Sequence, residues 1–261
     1  MYKYGGIVIH ETRDALGTLE VVEDGYQRSL HFGSEPKQSS MELNDPLRLA
    51  LSYTRAMLSA LLFQPAPRHV LLLGLGGGSL AKFLLHHFPG CRIDAVEYRE
   101  SVYAVARSHF HLPDDPRLYV HIADAADFLR QADATHSGYD LILLDAFTAD
   151  GVAQATSGLS FFEACRTRLA ADGVLAANLW SADSIKLDDI ISDLGDAFDG
   201  RLLRLPVDGK ANVIALTTRQ GKPRRDLRRL DAEARALQQR LGIEFTVFLN
   251  RLRKNNRYWG L

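Results

Sequence analysis

The stretch Val70-Leu71-Leu72-Leu73-Gly74-Leu75-Gly76-Gly77-Gly78-Ser79 decides the fold. Four successive apolar residues without alternation describe a central parallel strand, buried on both faces. Four glycines in the next five positions let the backbone turn sharply and come closer to a neighbour than any Cβ permits. Helical sequence then opens at Ser79 and runs to Phe88. Strand, glycine turn and helix, in that order, begin a β-α-β unit.

Downstream the alternation continues. Arg92 to Val96 reads as a strand ending at Glu97, and Glu100 to Phe110 as a helix. Leu118 to Ile122 is a strand and Ala125 to Gln131 a short helix. Leu141 to Leu144 is wholly apolar and ends at Asp145; a helix over Ser160 to Ala170, a strand over Val174 to Leu179 and a helix over Ile185 to Phe198 follow. The last two strand-like runs, Arg201 to Pro206 and Asn212 to Thr217, are separated by Val207-Asp208-Gly209-Lys210-Ala211. So short a connection, with Asp-Gly in it, allows a hairpin and no crossover helix, so the final pair is expected to be antiparallel. The fold class is α/β: a Rossmann-like, mostly parallel sheet of the methyltransferase type, closed by an antiparallel hairpin.

Upstream, Ile7-Val8-Ile9, Gly17 to Val22 and Tyr26 to Phe32 are short β-prone runs, with Asp24-Gly25 as a turn signal, which describes a small β-meander. Asp45-Pro46 opens a helical spacing over Leu47 to Phe63, and Pro65-Ala66-Pro67 breaks it. At the other end, Leu227, Leu230, Ala234, Leu237 and Leu241 recur as one amphipathic helix between the basic runs Lys222 to Arg229 and Arg251 to Arg257. Three segments are expected: 1–66, meander and connecting helix; 67–221, the nucleoside-binding unit; 222–261, a basic helical tail.

At 261 residues, 46% hydrophobic and net charge −1, the chain has no electrostatic bias toward nucleic acid or an anionic membrane. No run approaches the roughly 18 apolar residues of a membrane span, so a cytoplasmic protein is expected. Cys91 and Cys165 are far apart and suit a reducing compartment, and the histidines show no metal spacing.

The chemistry gathers at strand ends. Gly74, Gly76, Gly77 and Gly78 with Ser79 form a turn that a ligand can approach, and Glu97, about twenty residues on, can accept both hydroxyl protons of an adenosine ribose. Ser79 stands where a dinucleotide fingerprint has its last glycine; with the closing hairpin, this favours an AdoMet-type nucleoside over NAD. Asp124, before Ala125, can meet the exocyclic amine of adenine or cap the following helix. Asp145 stands at the carboxyl end of a central strand, with Asp150 five residues later; carboxylates beside a sulfonium donor can hold an amine and take its proton. Trp180, after the fifth strand, lines an acceptor pocket or packs the sheet edge.

Together these residues resemble the spermidine synthase (polyamine aminopropyltransferase) family, from the meander to about Thr218. Glu23-Asp24-Gly25-Tyr26-Gln27 resembles its L-D-G-x-x-Q, and Tyr53-Thr54-Arg55 stands where its Y-H-E occurs. Gly76-Gly77-Gly78-Ser79 resembles its G-G-G-D, Asp124-Ala125 its adenine-site G-D-A, and Asp145-Ala-Phe-Thr-Ala-Asp150 its D-S-S-D. The resemblance implies Asp145 as catalytic base, Gln27, Tyr53, Asp150 and Trp180 at the acceptor, decarboxylated AdoMet or AdoMet as co-substrate without a metal, a small amine as acceptor, and a homodimer. Three departures bear on the reaction. Ser79 replaces an acid, Arg55 puts a cation where the family has a carboxylate, and the D-S-S-D loop is two residues longer. Intact AdoMet carries a carboxylate that an acid would repel, so methyl transfer stands as the rival within this fold. A non-catalytic nucleoside-binding protein is the rival of another class.

Overall fold

The computed structural model describes residues 1–131, 138–148, 151–152, 157–180, 184–200, 202–220 and 227–256. At the N-terminus, β1 (Tyr2–Lys3), β2 (Gly6–Asp14), β3 (Gly17–Glu23), β4 (Gln27–His31) and β5 (Lys37–Glu42) pair antiparallel in sequence order. The Asp24-Gly25 turn forms as read: Asp24 Oδ1 accepts the N–H groups of Tyr26 and Gln27 at 3.1 and 2.8 Å, and Gly25 takes φ +91°. Strand β5 went unread because Lys-Gln-Ser-Ser-Met-Glu holds no β-branched residue. Pairing with β4 and burial of Met41 recruit it.

The helix read over Leu47 to Phe63 is shorter. It comprises α1 (Ser52–Met57) and a 3-10 turn, Leu58–Leu62. Residues 45–51 turn instead: Arg48 N–H reaches the Asp45 carbonyl, and the Arg55 guanidinium takes the carbonyls of Leu49 and Ala50 at 2.8 and 3.3 Å. An α-helix would have given those two carbonyls to the amides of residues 53 and 54.

The main unit runs β6 (His69–Leu73), α2 (Ser79–His87), β7 (Arg92–Glu97), α3 (Glu100–His109), β8 (Leu118–Ile122), α4 (Ala125–Gln131) and β9 (Tyr139–Leu144). A small ribbon, β10 (Phe147–Thr148) and β11 (Gly151–Val152), precedes α5 (Leu159–Arg168), β12 (Leu169–Leu179), α6 (Ser184–Ala197), β13 (Leu203–Pro206) and β14 (Val213–Thr218). Seven strands lie in the order β13-β14-β12-β9-β6-β7-β8. Neighbours from β12 to β8 are parallel, while β14 is antiparallel to both β12 and β13, the expected closing hairpin.

Alternate residues of the central strands serve opposite cores. Val70, Leu72, Leu141 and Leu143 pack with Met57, Leu58, Leu61 and Leu84, whereas Leu71, Leu73, Ile142 and Leu144 pack with Leu129, Phe162, Cys165 and Leu194. This two-sided burial is why β6 and β9 read as unbroken apolar runs. A third cluster seats Leu19, Val21, Leu30 and Met41 of the meander on Val102, Val105 and Phe110.

The tail holds two helices where one was read: α7 (Asp231–Leu241) and α8 (Phe245–Asn255), after a 3-10 turn at Leu227–Arg229. Gly242, at φ +67°, ends α7 in the left-handed cap, and Phe245, Phe248, Leu249 and Leu252 bury α8 in the same core as β6. Just past α8, the Asn256 amide donates to the Arg204 carbonyl and accepts its N–H, both at 2.9 Å, so the edge strand β13 is covered by a side chain that mimics a strand. Among the described residues no helix is long and apolar enough to cross a membrane.

Candidate active site

In this strand order β6 lies between β7 and β9, so the chain leaves β6 on one side and returns on the other. The crevice at the carboxyl ends of β6 and β9 is thus the topological switch point where open α/β sheets bind ligands. The two strand ends touch there. Asp145 N–H donates to the Leu73 carbonyl at 2.8 Å and Gly74 N–H to the Val96 carbonyl at 2.9 Å. A Cβ on Gly74, whose φ is +99°, would stand 2.2 Å from the Asp145 carbonyl oxygen. Glycine at 74 is therefore what lets the turn and the acid be neighbours.

On the turn side, Glu97 closes β7 with its carboxylate buried. Oε2 accepts the N–H groups of Leu75 and Gly76 at 3.1 and 3.3 Å, and Oε1 accepts Arg99 N–H at 3.0 Å. A carboxylate offers about four acceptor positions, so three backbone donors leave capacity for a hydroxyl. Cβ atoms on Gly77 and Gly78 would meet Ser39 Oγ and Leu112 Cδ1 at 2.6 and 2.5 Å, so those glycines make room for the protein itself. Gly76, at φ +53°, has ordinary space around its Cβ position, the nearest atom being the Gln38 carbonyl oxygen at 3.7 Å. Asp124 acts as a helix cap: its Oδ1 accepts the N–H groups of Ala126 and Asp127 at 2.8 and 3.0 Å, and Ala125 is buried behind it. Ser79 is half-buried and donates to the Ser40 carbonyl at 3.5 Å.

The acid side is built from side chains. Asn178 of β12 donates to Asp145 Oδ1 at 2.9 Å, and the Tyr53 phenol of α1 stands beside the same carboxylate. Burial nevertheless pushes the carboxyl up to about 6, the Asn178 hydrogen bond and the nearby Tyr53 hydroxyl offsetting part of the rise. The Tyr53 phenol is held well above its ordinary range by burial and by the Asp145 charge. Asn178, 2% exposed, in turn accepts Asn212 Nδ2–H at 2.9 Å. A carboxylate so held is near neutrality in basicity and suits proton abstraction.

Of the other residues read from sequence, Gln27 lies on β4, its Oε1 accepting from Lys37 and Ser40 at 3.3 and 3.2 Å. The neighbouring strand β5 is the one that lies against the glycine turn, through Gln38 and Ser39. Trp180 is half-buried just past β12. Asp150 lies outside the described residues. Arg55 does not face the crevice acid: its Nε donates to both oxygens of Glu244 at 3.0 and 3.2 Å, ahead of α8. The cation gained at that position is thereby spent on a structural ion pair. Gln38, Asn178 and Asn212 went unread. Asn178 alone left a local signal, as a polar residue inside the apolar strand Val174 to Leu179.

Residues 51–192 match the family profile described as Spermine/spermidine synthase domain. Over 244 residues the chain is 38% identical to a polyamine aminopropyltransferase of Chromobacterium violaceum, covering 93% of this chain and 92% of that protein. Its structure is similar to that of human methyltransferase-like protein 13 in complex with SAH, with TM-score 0.67 and 27% identity over 74% of this chain and 93% of that one. It is also similar to a spermidine synthase in complex with the transition state analogue AdoDATO, with TM-score 0.72 and 17% identity over 96% of this chain and 88% of that one.

Proposed function

Because the chain belongs to the spermine/spermidine synthase family, we propose that it transfers an aminopropyl group from decarboxylated AdoMet to a small amine. The observation that carries this reading is the buried Asp145, held by Asn178 beside Tyr53 and one strand from the glycine turn. Glu97 would bind a ribose hydroxyl with its remaining acceptor capacity, Gly74 to Gly78 with Ser79 would take the nucleoside beside the turn, and Asp124 with Ala125 would border the adenine.

A sulfonium donor supplies a carbon already activated for displacement, so the protein's task is to align and to manage one proton. Asp145 accepts the proton of the attacking nitrogen as the N–C bond forms and the C–S pair returns to sulfur. At about 6, its carboxyl is mostly ionised at neutral pH yet still basic enough to take that proton. Tyr53 and Asn178 hold the carboxylate in place while the proton moves; Gln27, Asp150 and Trp180 would line the amine side. Cytoplasmic location and a homodimer belong to the same proposal, and light scattering on the purified chain checks the second.

The test is which sulfide leaves. Incubation with decarboxylated AdoMet and a panel of mono-, di- and triamines is expected to release methylthioadenosine. Methyl transfer draws support from Ser79 in place of an acid and from the likeness to a methyltransferase. It would instead release S-adenosylhomocysteine from AdoMet, and that result would overturn the aminopropyl reading. Release of neither, with the nucleosides still raising the melting temperature, would leave a binding protein.

A further inference from the structure

Asp145 needs more than a neighbour; it needs a fixed face. A side-chain amide is nearly symmetric in shape but not in charge, so Asn178 has two orientations of almost equal bulk and opposite effect. With its NH2 toward Asp145 it donates to the carboxylate. Turned over, it would aim its own oxygen at that carboxylate. Asn178 is 2% exposed between Ala177 and Leu179, both fully buried, so water cannot compensate the wrong orientation.

The carboxylate favours the first, and Asn212 reinforces that choice from the other side. Its Nδ2–H donates to Asn178 Oδ1 at 2.9 Å, and Asn178 Nδ2–H donates to Asp145 Oδ1 at 2.9 Å. A flipped Asn178 would meet an NH2 on one side and a carboxylate on the other, repulsive at both ends. The backbone of Asn212 is fixed. It immediately precedes β14, where Val213 pairs with Leu179, and its carbonyl accepts Val207 N–H at 3.0 Å to close the hairpin. The hairpin is tethered in turn, since Asp208 pairs with Arg251 of α8. We propose that Asn212 is a positioning residue for this enzyme: acting through Asn178, it holds Asp145 in the orientation and the ionised state that proton abstraction requires. Nothing in Asn212's own contacts touches the crevice acid, so its effect on turnover is wholly relayed.

This inference rests on Asp145 being the base, so both are tested in one experiment: the pH profile of kcat/KM for wild type, Asp145→Asn, Asn212→Ala and the isosteric Asn212→Asp. Of the titratable groups among the described residues, Tyr53 of α1 faces Asp145, and it stays neutral across the range used. Loss of the relayed donor disfavours the carboxylate, so the acid limb of Asn212→Ala is expected to move to higher pH. Activity at pH 6 should fall on the order of tenfold, recover largely by pH 8.5, and leave the donor KM unchanged. Asn212→Asp keeps the backbone bond and the shape while offering an acceptor where a donor is needed, and should move the limb further. A wild-type limb in both variants, or a uniform loss at every pH, overturns the proposal while leaving the base assignment standing. Full turnover by Asp145→Asn removes the base assignment, and this inference with it.

Discussion

The two ends of the crevice are made differently. The end proposed for the nucleoside is made by the backbone: three N–H groups from one turn and one strand end converge on Glu97, and the local chain is bent by glycines. The base end is made by side chains from four separate elements, Tyr53 of α1, Asp145 after β9, Asn178 of β12 and Asn212 before β14. A backbone site is set by a short stretch of sequence and tolerates substitution in its surroundings. A side-chain site depends on the register of strands far apart in the chain, and one amide in the wrong orientation spoils it. The donor half should therefore fail through local changes and the base half through relayed ones.

The largest expected effect separates the halves. Asp145→Asn should lower turnover by roughly 10²- to 10⁴-fold, the usual worth of a general base, while nucleoside binding followed by thermal shift stays within about threefold. It should also stabilise the ligand-free protein. A carboxyl raised to about 6 from 3.8 favours the protonated fold, so its contribution is complete below pH 3.8 and is lost as pH rises through 6. At pH 8 the asparagine variant should gain up to about 3 kcal/mol in urea unfolding, and close to none at pH 4. Equal stability at both pH values would mean that burial does not strain this carboxylate.

Gly74→Ala is the next test, since Gly74 is where the halves touch. A methyl 2.2 Å from the Asp145 carbonyl, on a residue at φ +99°, cannot be accommodated without moving β6 from the end of β9. A loss of roughly 3 kcal/mol or more is expected from a backbone forced out of place, with nucleoside affinity and turnover falling together. A variant that loses one and keeps the other would show that the two ends are less coupled than their contact implies.

How far each half was legible follows from the same contrast. The glycine turn, the apolar strands and the Asp208-Gly209 hairpin are each read within about ten residues, and Glu97 by its spacing of about twenty from the turn, because backbone geometry leaves a signature close in sequence. Asp145 was legible as a strand-end acid. Its surroundings were legible in part: Tyr53, 92 positions earlier, was placed at the acceptor through the family motif, whereas Asn212 becomes the proposed relay only once β14 has inserted between β12 and β13. Strand β5 was missed for a related reason, since pairing with β4 forms it against a weak local pattern, whereas α8 carries Phe245, Phe248, Leu249 and Leu252 at helical spacing and was legible in the sequence.

Glu97→Ala addresses the donor half alone. It removes the charged acceptor that orders the turn, and nucleoside Kd should rise roughly a hundredfold, about 3 kcal/mol for the loss of charge-assisted hydrogen bonds. Turnover at saturating donor should stay within tenfold, because the base end is untouched. Glu97→Gln keeps one carbonyl acceptor and should fall between, which isothermal calorimetry can read. A large fall in saturated turnover with unchanged Kd would reverse the assignment of the two ends.

The smallest effect is expected where the sequence suggested a large one. An arginine at position 55 looks, from its place in the motif, like a cation set against polycationic acceptors. Its guanidinium instead joins α1 to the start of α8 through Glu244 and closes the turn through the carbonyls of Leu49 and Ala50. Arg55→Ala should therefore cost about 1 kcal/mol of stability and leave KM for mono-, di- and triamines alike within about twofold. A cation facing the acceptor would behave otherwise: its removal would lower KM, and by a larger factor for each added ammonium group. A graded fall in KM from monoamine to triamine would put Arg55 back in the acceptor half and make its charge a control on which amine is used.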